Sequence, residues 1–422
     1  MNTAFFLTRG KGYYEEYKAN SNYADYGLPN MIVGSDTFTT TNLVRQRWLD
    51  NYFYGQIASL QYKTNLDDLT IGGGWNKYDG KHFGNIVWIE KGTVPNNHHY
   101  YHHPAEKSDA NIYVKWQHQL TPNLSSFIDV QYRFVKHTMN GFDGNELLNI
   151  SRQFNFVNPK IGITYTKKGW QSFLSYAIAN KEPNRNDFQA SPITQPTHET
   201  LHDVELGIEK RNSKSSFGAT FYYMGYNNQL VLTGKINDVG AYTRTNIPSS
   251  YRMGIELQGE AFINSWLNVS GNFTLSKNKI KSFTAFIDNY DNGTQETMYH
   301  TDKDISFSAN KIAGATINFL PSKDITFSLI NKYVDKQYLD NTQDESRKLN
   351  AFVTQDFRAI YVIKKRVLKE IQLIFQANNL LNKLYEPNGY TFSYIYGGVQ
   401  STENYYYPMA GRNFMLALNI KL

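Results

Sequence analysis

Apolar and polar residues alternate with a period of two along most of the chain. The clearest stretch is the last one, where Phe414, Leu416, Leu418, Ile420 and Leu422 share a face opposite Asn413, Asn419 and Lys421. Residues 124–142, 245–263 and 267–283 repeat the pattern. This spacing is typical of β-strands with one apolar and one polar face. A slip of one residue would bury charge, so the register is well specified.

The alternation predicts an all-β chain of about 16 strands. The predicted ranges are 3–18, 43–63, 69–90, 110–120, 124–142, 155–167, 171–189, 199–211, 216–235, 245–263, 267–283, 306–320, 325–341, 349–363, 371–389 and 408–422. Short turns are predicted at 65–68, 121–123, 167–169, 212–214, 264–266, 321–324 and 364–366, and long polar loops at 20–42, 91–109, 284–305 and 390–407. Short turns at one rim and long loops at the other favour a transmembrane antiparallel β-barrel.

Composition agrees with a barrel in lipid. Aromatic residues make up 15% of the chain, with 32 Tyr, 26 Phe and 6 Trp, yet the mean hydropathy is −0.54. In a lipid-embedded barrel only alternate residues face the bilayer, which explains the combination. The net charge of +6 is too mild to indicate nucleic-acid binding. Absence of cysteine excludes disulfides, Cys-ligated metals and thiol catalysis.

Two other architectures fit part of the pattern. The short turns recur about every 45–57 residues, a spacing close to that of propeller blades. Each interval holds two long strands rather than four short ones, which disfavours a soluble propeller or sandwich. A passive porin-like channel stays open as an alternative, because about 16 strands can close into a barrel on their own.

Several segments resemble TonB-dependent receptors, especially those of the Bacteroidetes type. Residues 378–385 (NNLLNKLY) match the pattern N-L-(F/L)-(N/D)-K-x-Y, and residues 408–414 (PMAGRNF) match P-x-x-G-R-x-F. Residues 7–17, 175–188 and 198–207 are also similar to segments of that family. The resemblance covers essentially the whole chain.

The resemblance implies a cell outer-membrane, multi-pass barrel of 22 strands with a plug in its lumen. Residues 1–422 are then the C-terminal part of the barrel, and we expect the signal peptide, TonB box, plug and about six strands to be absent from them. The implied partners are outer-membrane lipid, the TonB–ExbB–ExbD complex (through the plug) and the barrel-assembly machinery. Such barrels usually end in Phe or Trp, so Leu422 predicts weaker recognition by that machinery.

The resemblance further implies energised import of a scarce nutrient, with a ferric siderophore as first cargo candidate and haem as second. No cofactor is expected. Motifs of nucleophilic, zinc or nucleotide-dependent enzymes are missing from the sequence, so the chain is predicted not to be an enzyme.

One candidate ligand site is a tract in the predicted loop 91–109. It consists of His98, His99, Tyr100, Tyr101, His102 and His103. Imidazole and phenolate are ligands for haem iron, zinc or copper, and His98 and His102 are the candidates for a metal. The alternative is that these are incidental loop residues, since His-rich tracts are only a compositional indication.

A second candidate is the aromatic segment within 390–407. Tyr394, Tyr396, Tyr405 and Tyr406 are its candidate binding residues, and they are suited to stacking on an aromatic siderophore. The alternative is an interfacial aromatic girdle. Residues 288–293 (DNYDNG) resemble the start of an EF-hand loop, but Tyr290 occupies a ligand position, so a turn is the favoured interpretation.

Overall fold

The computed structural model describes residues 1–142, 144–190, 195–236, 242–363 and 369–421. In chain order the elements are β1 (Asn2–Asn22), a 3-10 turn (Tyr23–Tyr26), β2 (Met31–Val33), β3 (Asp36–Phe38), β4 (Thr40–Lys63), β5 (Asp67–Ile89), β6 (His99–Thr121), β7 (Leu124–Phe142), β8 (Asn145–Lys167), β9 (Trp170–Lys181), α1 (Arg185–Ala190), β10 (Glu199–Arg211), β11 (Ser215–Ile236), β12 (Tyr242–Asn264), β13 (Leu267–Asn289), β14 (Thr294–Asp304), β15 (Lys311–Ser322), β16 (Ile325–Val334), β17 (Gln337–Tyr338), β18 (Lys348–Leu349), β19 (Phe352–Ile363), β20 (Glu370–Asn378), β21 (Asn388–Tyr396), β22 (Val399–Tyr407) and β23 (Asn413–Lys421).

Nineteen of these strands belong to one sheet, and β2–β3 and β17–β18 form two small sheets. The all-β prediction is confirmed. Sixteen strands of the large sheet correspond to the predicted ones: β1, β4 to β13, β15, β16, β19, β20 and β23. The other three, β14, β21 and β22, lie where long loops were predicted. The predicted turn at 364–366 and the terminal Leu422 lie outside the described residues.

The prediction of long irregular loops is wrong for three segments. Residues 284–305 continue β13 and return as β14, and residues 390–407 form the hairpin of β21 and β22. In the segment 91–109, β6 already begins at His99. In residues 284–305 polar side chains on both faces hide the period of two, whereas residues 390–395 do alternate. Their backbone groups still need partners, and pairing supplies them.

One compact unit comprises residues 1–117, 129–159 and 191–195. In it, β4 pairs antiparallel with β1, from Asn2↔Ser59 to Asn22↔Thr40, and with β5. Beyond the end of β1, the 3-10 turn covers the strands with a small apolar cluster. Its buried members are Tyr23, Tyr26, Leu28, Leu43 and Ile86. This cluster holds the segment between β1 and β4 against the strand ends.

The second unit comprises residues 118–128, 160–190 and 196–422. Its antiparallel meander runs from the end of β8 through β9, β10, β11, β12, β13, β15, β16, β19 and β20 to β23. Short turns near 168–169, 212–214 and 265–266 lie at one end of the strands.

Large apolar side chains are exposed within about a dozen residues of these turns. Examples are Phe217 and Phe221 on β11, Leu257 on β12, and Phe273 and Leu275 on β13. Alternate strand residues thus form an outward apolar stripe, as a lipid-facing wall requires. At about 3.3 Å per residue, the 23 residues of β13 span about 75 Å. Crossing hydrocarbon takes about 9–11 residues, so the far ends of the long strands extend well beyond the apolar stripe.

The two motifs at residues 378–385 and 408–414 contact each other beside the last strand. Asn379 is buried, has a positive φ of 49°, and donates through Nδ2 to the carbonyl oxygens of Lys383 (2.8 Å) and Ala410 (3.2 Å). The Arg412 backbone N–H donates to Asn382 Oδ1 (2.9 Å), and Arg412 Nε donates to the Leu380 carbonyl (2.9 Å). These contacts, here called the C-terminal clasp, fix the segment after β20 against the start of β23.

Helix content is small. In α1, Asp187 is fully buried and forms a two-point ion pair with Arg244 of β12 (2.8 and 2.7 Å). Among the described residues, no helix has the length and apolar character to span a membrane.

Candidate ligand-binding site

The histidine tract begins β6 rather than lying in a flexible loop. Only His98 precedes the strand, and His99 to His103 belong to it. The tract lies at least 18 residues along β6 from the short turn after Thr121, more than the about 9–11 residues that cross hydrocarbon. The prediction of an irregular loop at this point is wrong, because the polar side chains concealed a regular backbone.

Three of the four imidazoles have contacts that hold neighbouring segments. His98 Nε2 lies 2.6 Å from the carbonyl oxygen of Tyr26 and must donate to it. His99 Nδ1 lies 2.5 Å from Asn85 Oδ1 on β5. His103 is 2% exposed, and its Nε2 donates to Glu146 Oε2 at 2.5 Å. The tract therefore spreads its ring nitrogens over three different partners.

The tyrosines of the tract also pack inward. The Tyr100 ring lies 4.9 Å from that of Tyr26 and packs against the apolar cluster, and burial raises the Tyr100 pKa well above its usual value. The Tyr101 ring lies 4.8 Å from the His103 ring and under the guanidinium of Arg47. A phenolate ligand at Tyr100 is therefore disfavoured at neutral pH.

His102 is exposed, as is His99. Its ring stacks on that of His99 with centroids 6.2 Å apart. Partial burial, with a smaller effect of His99, lowers the His102 pKa, so neutral imidazole, the metal-binding form, prevails at pH 7. The described part of the chain contains no group of three or more His, Asp or Glu side chains arranged to hold a metal ion. Metal binding by His98 and His102 stays a prediction.

The aromatic segment folds as a regular hairpin of β21 and β22. Its turn is Gly397–Gly398, and both glycines have positive φ (63° and 71°), a conformation that glycine adopts without strain. Pairing sets Tyr390 opposite Tyr405 and Phe392 opposite Glu403. Cross-strand partners project to the same side. Six residues on that side are here called the aromatic face: Tyr390, Phe392, Tyr394, Glu403, Tyr405 and Tyr407.

The rings of the aromatic face form a continuous ladder. Tyr390 and Tyr405 are stacked, with centroids 4.8 Å apart and planes 7° apart. Phe392 continues the stack at 5.9 Å from Tyr405 and 6.3 Å from Tyr394. Tyr407 lies 6.0 Å from Tyr390. Tyr405 and Tyr407 remain 42% and 45% exposed, so the ladder is accessible from solvent.

One carboxylate lies within the ladder. Glu403 accepts hydrogen bonds from the hydroxyls of Tyr405 (2.5 Å) and Tyr394 (3.0 Å). These bonds, Tyr405 first, lower the Glu403 pKa, and the carboxylate in turn raises the pKa of both phenols. Glu403 is therefore ionised and both tyrosines are neutral donors at physiological pH.

The opposite face of the hairpin packs against the protein. Thr391, Ser393 and Ile395 are buried. Arg347 Nη2 donates to Thr402 Oγ1 (3.1 Å), and Asn404 Nδ2 donates to the Ser346 carbonyl (2.9 Å). The hairpin thus exposes its aromatic face to solvent, while its opposite face is held by contacts with the rest of the protein.

The far end of β13 holds the tip of the hairpin. Both carboxylate oxygens of Asp291 accept from the turn, one from Gly397 N–H and one from Gly398 N–H, each at 2.7 Å. The Tyr290 N–H donates to the Ile395 carbonyl (2.9 Å). The EF-hand-like segment is thus a turn whose acidic residue anchors the hairpin.

Of the predicted aromatic residues, the structure brings Tyr394 and Tyr405 together. Tyr396 is 70% exposed at the tip, opposite Val399. Tyr406 pairs with Gly389 and belongs to the opposite face. Sequence analysis missed Glu403 and also Tyr290, whose ring lies 5.7 Å from that of Tyr394. The Gly397–Gly398 pair between alternating residues was the available signal for this hairpin.

Comparison with known proteins decides the family. Residues 2–380 match the model of the family described as "TonB dependent receptor-like, beta-barrel". The chain belongs to this family. Its fold class is therefore that of the TonB-dependent receptor barrels, which are transport receptors of the outer membrane and not enzymes. Among curated proteins, none matches the sequence.

Solved structures of TonB-dependent receptors share the fold at low identity. The siderophore receptor PiuA from Acinetobacter baumannii superposes with a TM-score of 0.63 at 15% identity, covering 90% of this chain and 60% of PiuA. The ferric-catecholate import receptor Fiu from K12 E. coli gives 0.62 at 13%, covering 99% and 62%. The copper transporter OprC gives 0.67 at 11%, covering 90% and 57%. The chain thus spans about 60% of the length of these TonB-dependent receptors.

Proposed function

We propose that this TonB-dependent receptor barrel takes part in energised import of a scarce nutrient across the outer membrane, with a ferric siderophore as its cargo. The aromatic face is the observation that supports a ferric siderophore as the cargo. It is a solvent-accessible ladder of rings beyond the apolar stripe, on a hairpin whose other face is fixed. Flat aromatic ligands stack on such rings.

In the proposed mechanism the hairpin captures the cargo, and a plug couples import to the energy source. The Asp291 contacts and the buried face restrict the hairpin, so little conformational freedom is lost when cargo binds. TonB–ExbB–ExbD then acts on a plug encoded outside these 422 residues, and movement of that plug opens the path. Assembly into the outer membrane by the barrel-assembly machinery is part of the same proposal, as is the Bacteroidetes-type relationship.

Capture of haem or a metal by the histidine tract is a second candidate function. The stacked pair His99–His102 favours it, because both rings are partly accessible and the lowered pKa keeps His102 neutral. Replacement of both residues by Ala in the receptor, with haem and zinc binding measured by titration, tests this role. Unchanged affinity for both ligands would remove it.

Uptake measurements in the native host test the main proposal. We expect deletion of the coding gene to abolish uptake of radiolabelled iron supplied as a particular ferric siderophore, and restoration of the gene to recover it. An uncoupler of the proton gradient should remove the same share of uptake, because the import is energised. Uptake that survives the uncoupler, together with steady conductance of the reconstituted chain, would instead establish the passive porin-like channel.

A further inference from the structure

The aromatic face carries a single formal charge, and that charge is negative. Glu403 is the one ionisable carboxyl among the six members of the face, and the other five are aromatic rings. Its two hydrogen-bond donors are the phenols of Tyr394 and Tyr405. Phenols stabilise a carboxylate but bring no positive charge, so the net charge of the face remains −1.

The neighbouring acids have other contacts and lie outside the aromatic face. Asp288 has the ammonium of Lys235 at 3.7 Å, and Asp291 is bound by two backbone N–H groups of the turn. Within the described ranges, neither lysine nor arginine forms an ion pair with Glu403. The negative charge in the middle of the ladder is therefore that of Glu403, and no ion pair compensates it.

A carboxylate among tyrosine rings suits a particular ligand chemistry. Ammonium and guanidinium groups are attracted both by the carboxylate and by the π-faces of tyrosine. An anionic group at the same place is repelled. The rings meanwhile contact any flat or apolar part of the ligand.

We infer that the aromatic face selects a cargo in which a positively charged group adjoins an aromatic or apolar body, and that Glu403 is the residue that determines this selection. The inference adds the charge of the cargo to the proposed function. It rests on that function only in assuming that the bound molecule is imported. Binding preference is measurable without transport.

A matched series of indoles tests the inference on the 422-residue chain in neutral detergent. Tryptamine is cationic, tryptophol neutral and indole-3-acetate anionic at pH 7, and all three present the same ring. We expect tryptamine to bind about fivefold more tightly than tryptophol, the effect of one contact between unit charges at the surface. Indole-3-acetate should bind about fivefold more weakly than tryptophol. Isothermal titration at low salt avoids screening.

Glu403→Gln is the decisive variant, because it keeps a hydrogen-bond acceptor and removes the charge. The differences among the three affinities should shrink to about twofold, the remainder expected from weak cation–π attraction to the tyrosine rings. Glu345→Gln is the matched control: Glu345 is also an exposed carboxylate that accepts from a tyrosine hydroxyl, that of Tyr338, but it lies outside the aromatic face. This control should keep the wild-type order of affinities. Because the indoles partition into detergent equally in both samples, comparison of the two variants removes that contribution.

A second measurement does not depend on the variant. Tryptamine stays cationic in acid, whereas Glu403 becomes neutral, so the wild-type preference for tryptamine over tryptophol should fall to the same small remainder as the pH falls through the Glu403 pKa. Equal affinity for the three indoles in the wild type, or undiminished differences in Glu403→Gln, would overturn the inference. Uptake that continues in the deletion host, with the indole order intact in the isolated chain, would overturn only the proposed function.

Discussion

The histidine tract and the aromatic face are both short runs of ligand-type residues far from the short turns, yet the fold uses them differently. In the tract, His98, His99 and His103 each contact another segment. In the hairpin, successive residues alternate between packing inward and presenting a ring to solvent. The amino-acid composition indicated a candidate ligand site in both regions equally. The contacts of each ring distinguish a run that stabilises strands from a face available to a ligand.

The largest expected effect concerns the stabilising role of the tract. Replacement of His103 by Ala should lower the free energy of unfolding by about 2–3 kcal/mol, since a buried ring and its hydrogen bond to Glu146 are lost. Urea unfolding in detergent, followed by tyrosine fluorescence, measures this change. The exposed neighbour His102, replaced by Ala, should stay within about 0.5 kcal/mol of the wild type. Similar values for the two variants would contradict the distinction drawn between them.

The next effect concerns the two faces of the hairpin. Tyr405→Ala removes the centre of the ladder and should weaken binding of tryptamine about tenfold, which corresponds to about 1.4 kcal/mol. Tyr406→Ala changes the adjacent residue on the opposite side and should leave the affinity within about twofold of the wild type. Titration calorimetry compares the two. If Tyr406→Ala proved the more damaging, the assignment of faces would be wrong.

An effect of similar size, but confined to a few backbone groups, tests the anchor at the tip. Asp291→Asn leaves one carbonyl oxygen for two N–H groups, so amide hydrogen exchange at Gly397 and Gly398 should accelerate about tenfold, equivalent to about 1.4 kcal/mol for a weakened charge-assisted bond. Asp288→Asn provides the control, because Asp288 contacts Lys235 and Gln295 instead. Equal acceleration in both variants would show that general loosening, not the anchor, is responsible.

The smallest effect is a pH dependence of the segment behind the hairpin. Hydrogen bonds from Lys336 first, then Lys348 and Tyr338, lower the Glu345 pKa to about 2. Because the folded value lies below the ordinary 4.5, the contribution of Glu345 is complete above pH 4.5 and is lost as the pH falls towards 2. Protection of the amides around residues 336–348, measured relative to the intrinsic exchange rate at each pH, should fall over that window, and Glu345→Gln should show no such pH step. A step that persists in the variant would have another origin.

The sequence predicted the strands better than either candidate site. Alternation defined the strand positions because one face of each strand contacts lipid and the other water. The motifs of residues 378–385 and 408–414 were recognisable by resemblance, but the contacts between them, the C-terminal clasp, were found only in the structure. The burial of His103 depends on Glu146, 43 residues away, and no local pattern reveals it. Glu403 was overlooked for the same reason, because its role depends on cross-strand tyrosines.

The division of the hairpin into two faces has a consequence for how such a receptor diversifies. The backbone of the tip is held by Asp291 through N–H groups, which every residue except proline possesses, and the buried face is set by Thr391, Ser393 and Ile395. Positions 390, 392, 394, 403 and 405 are therefore free to change together while the hairpin keeps its shape. Natural selection, or selection from a library, can change the recognised molecule by varying alternate codons in two stretches of about nine residues. The other strands of the sheet need not change.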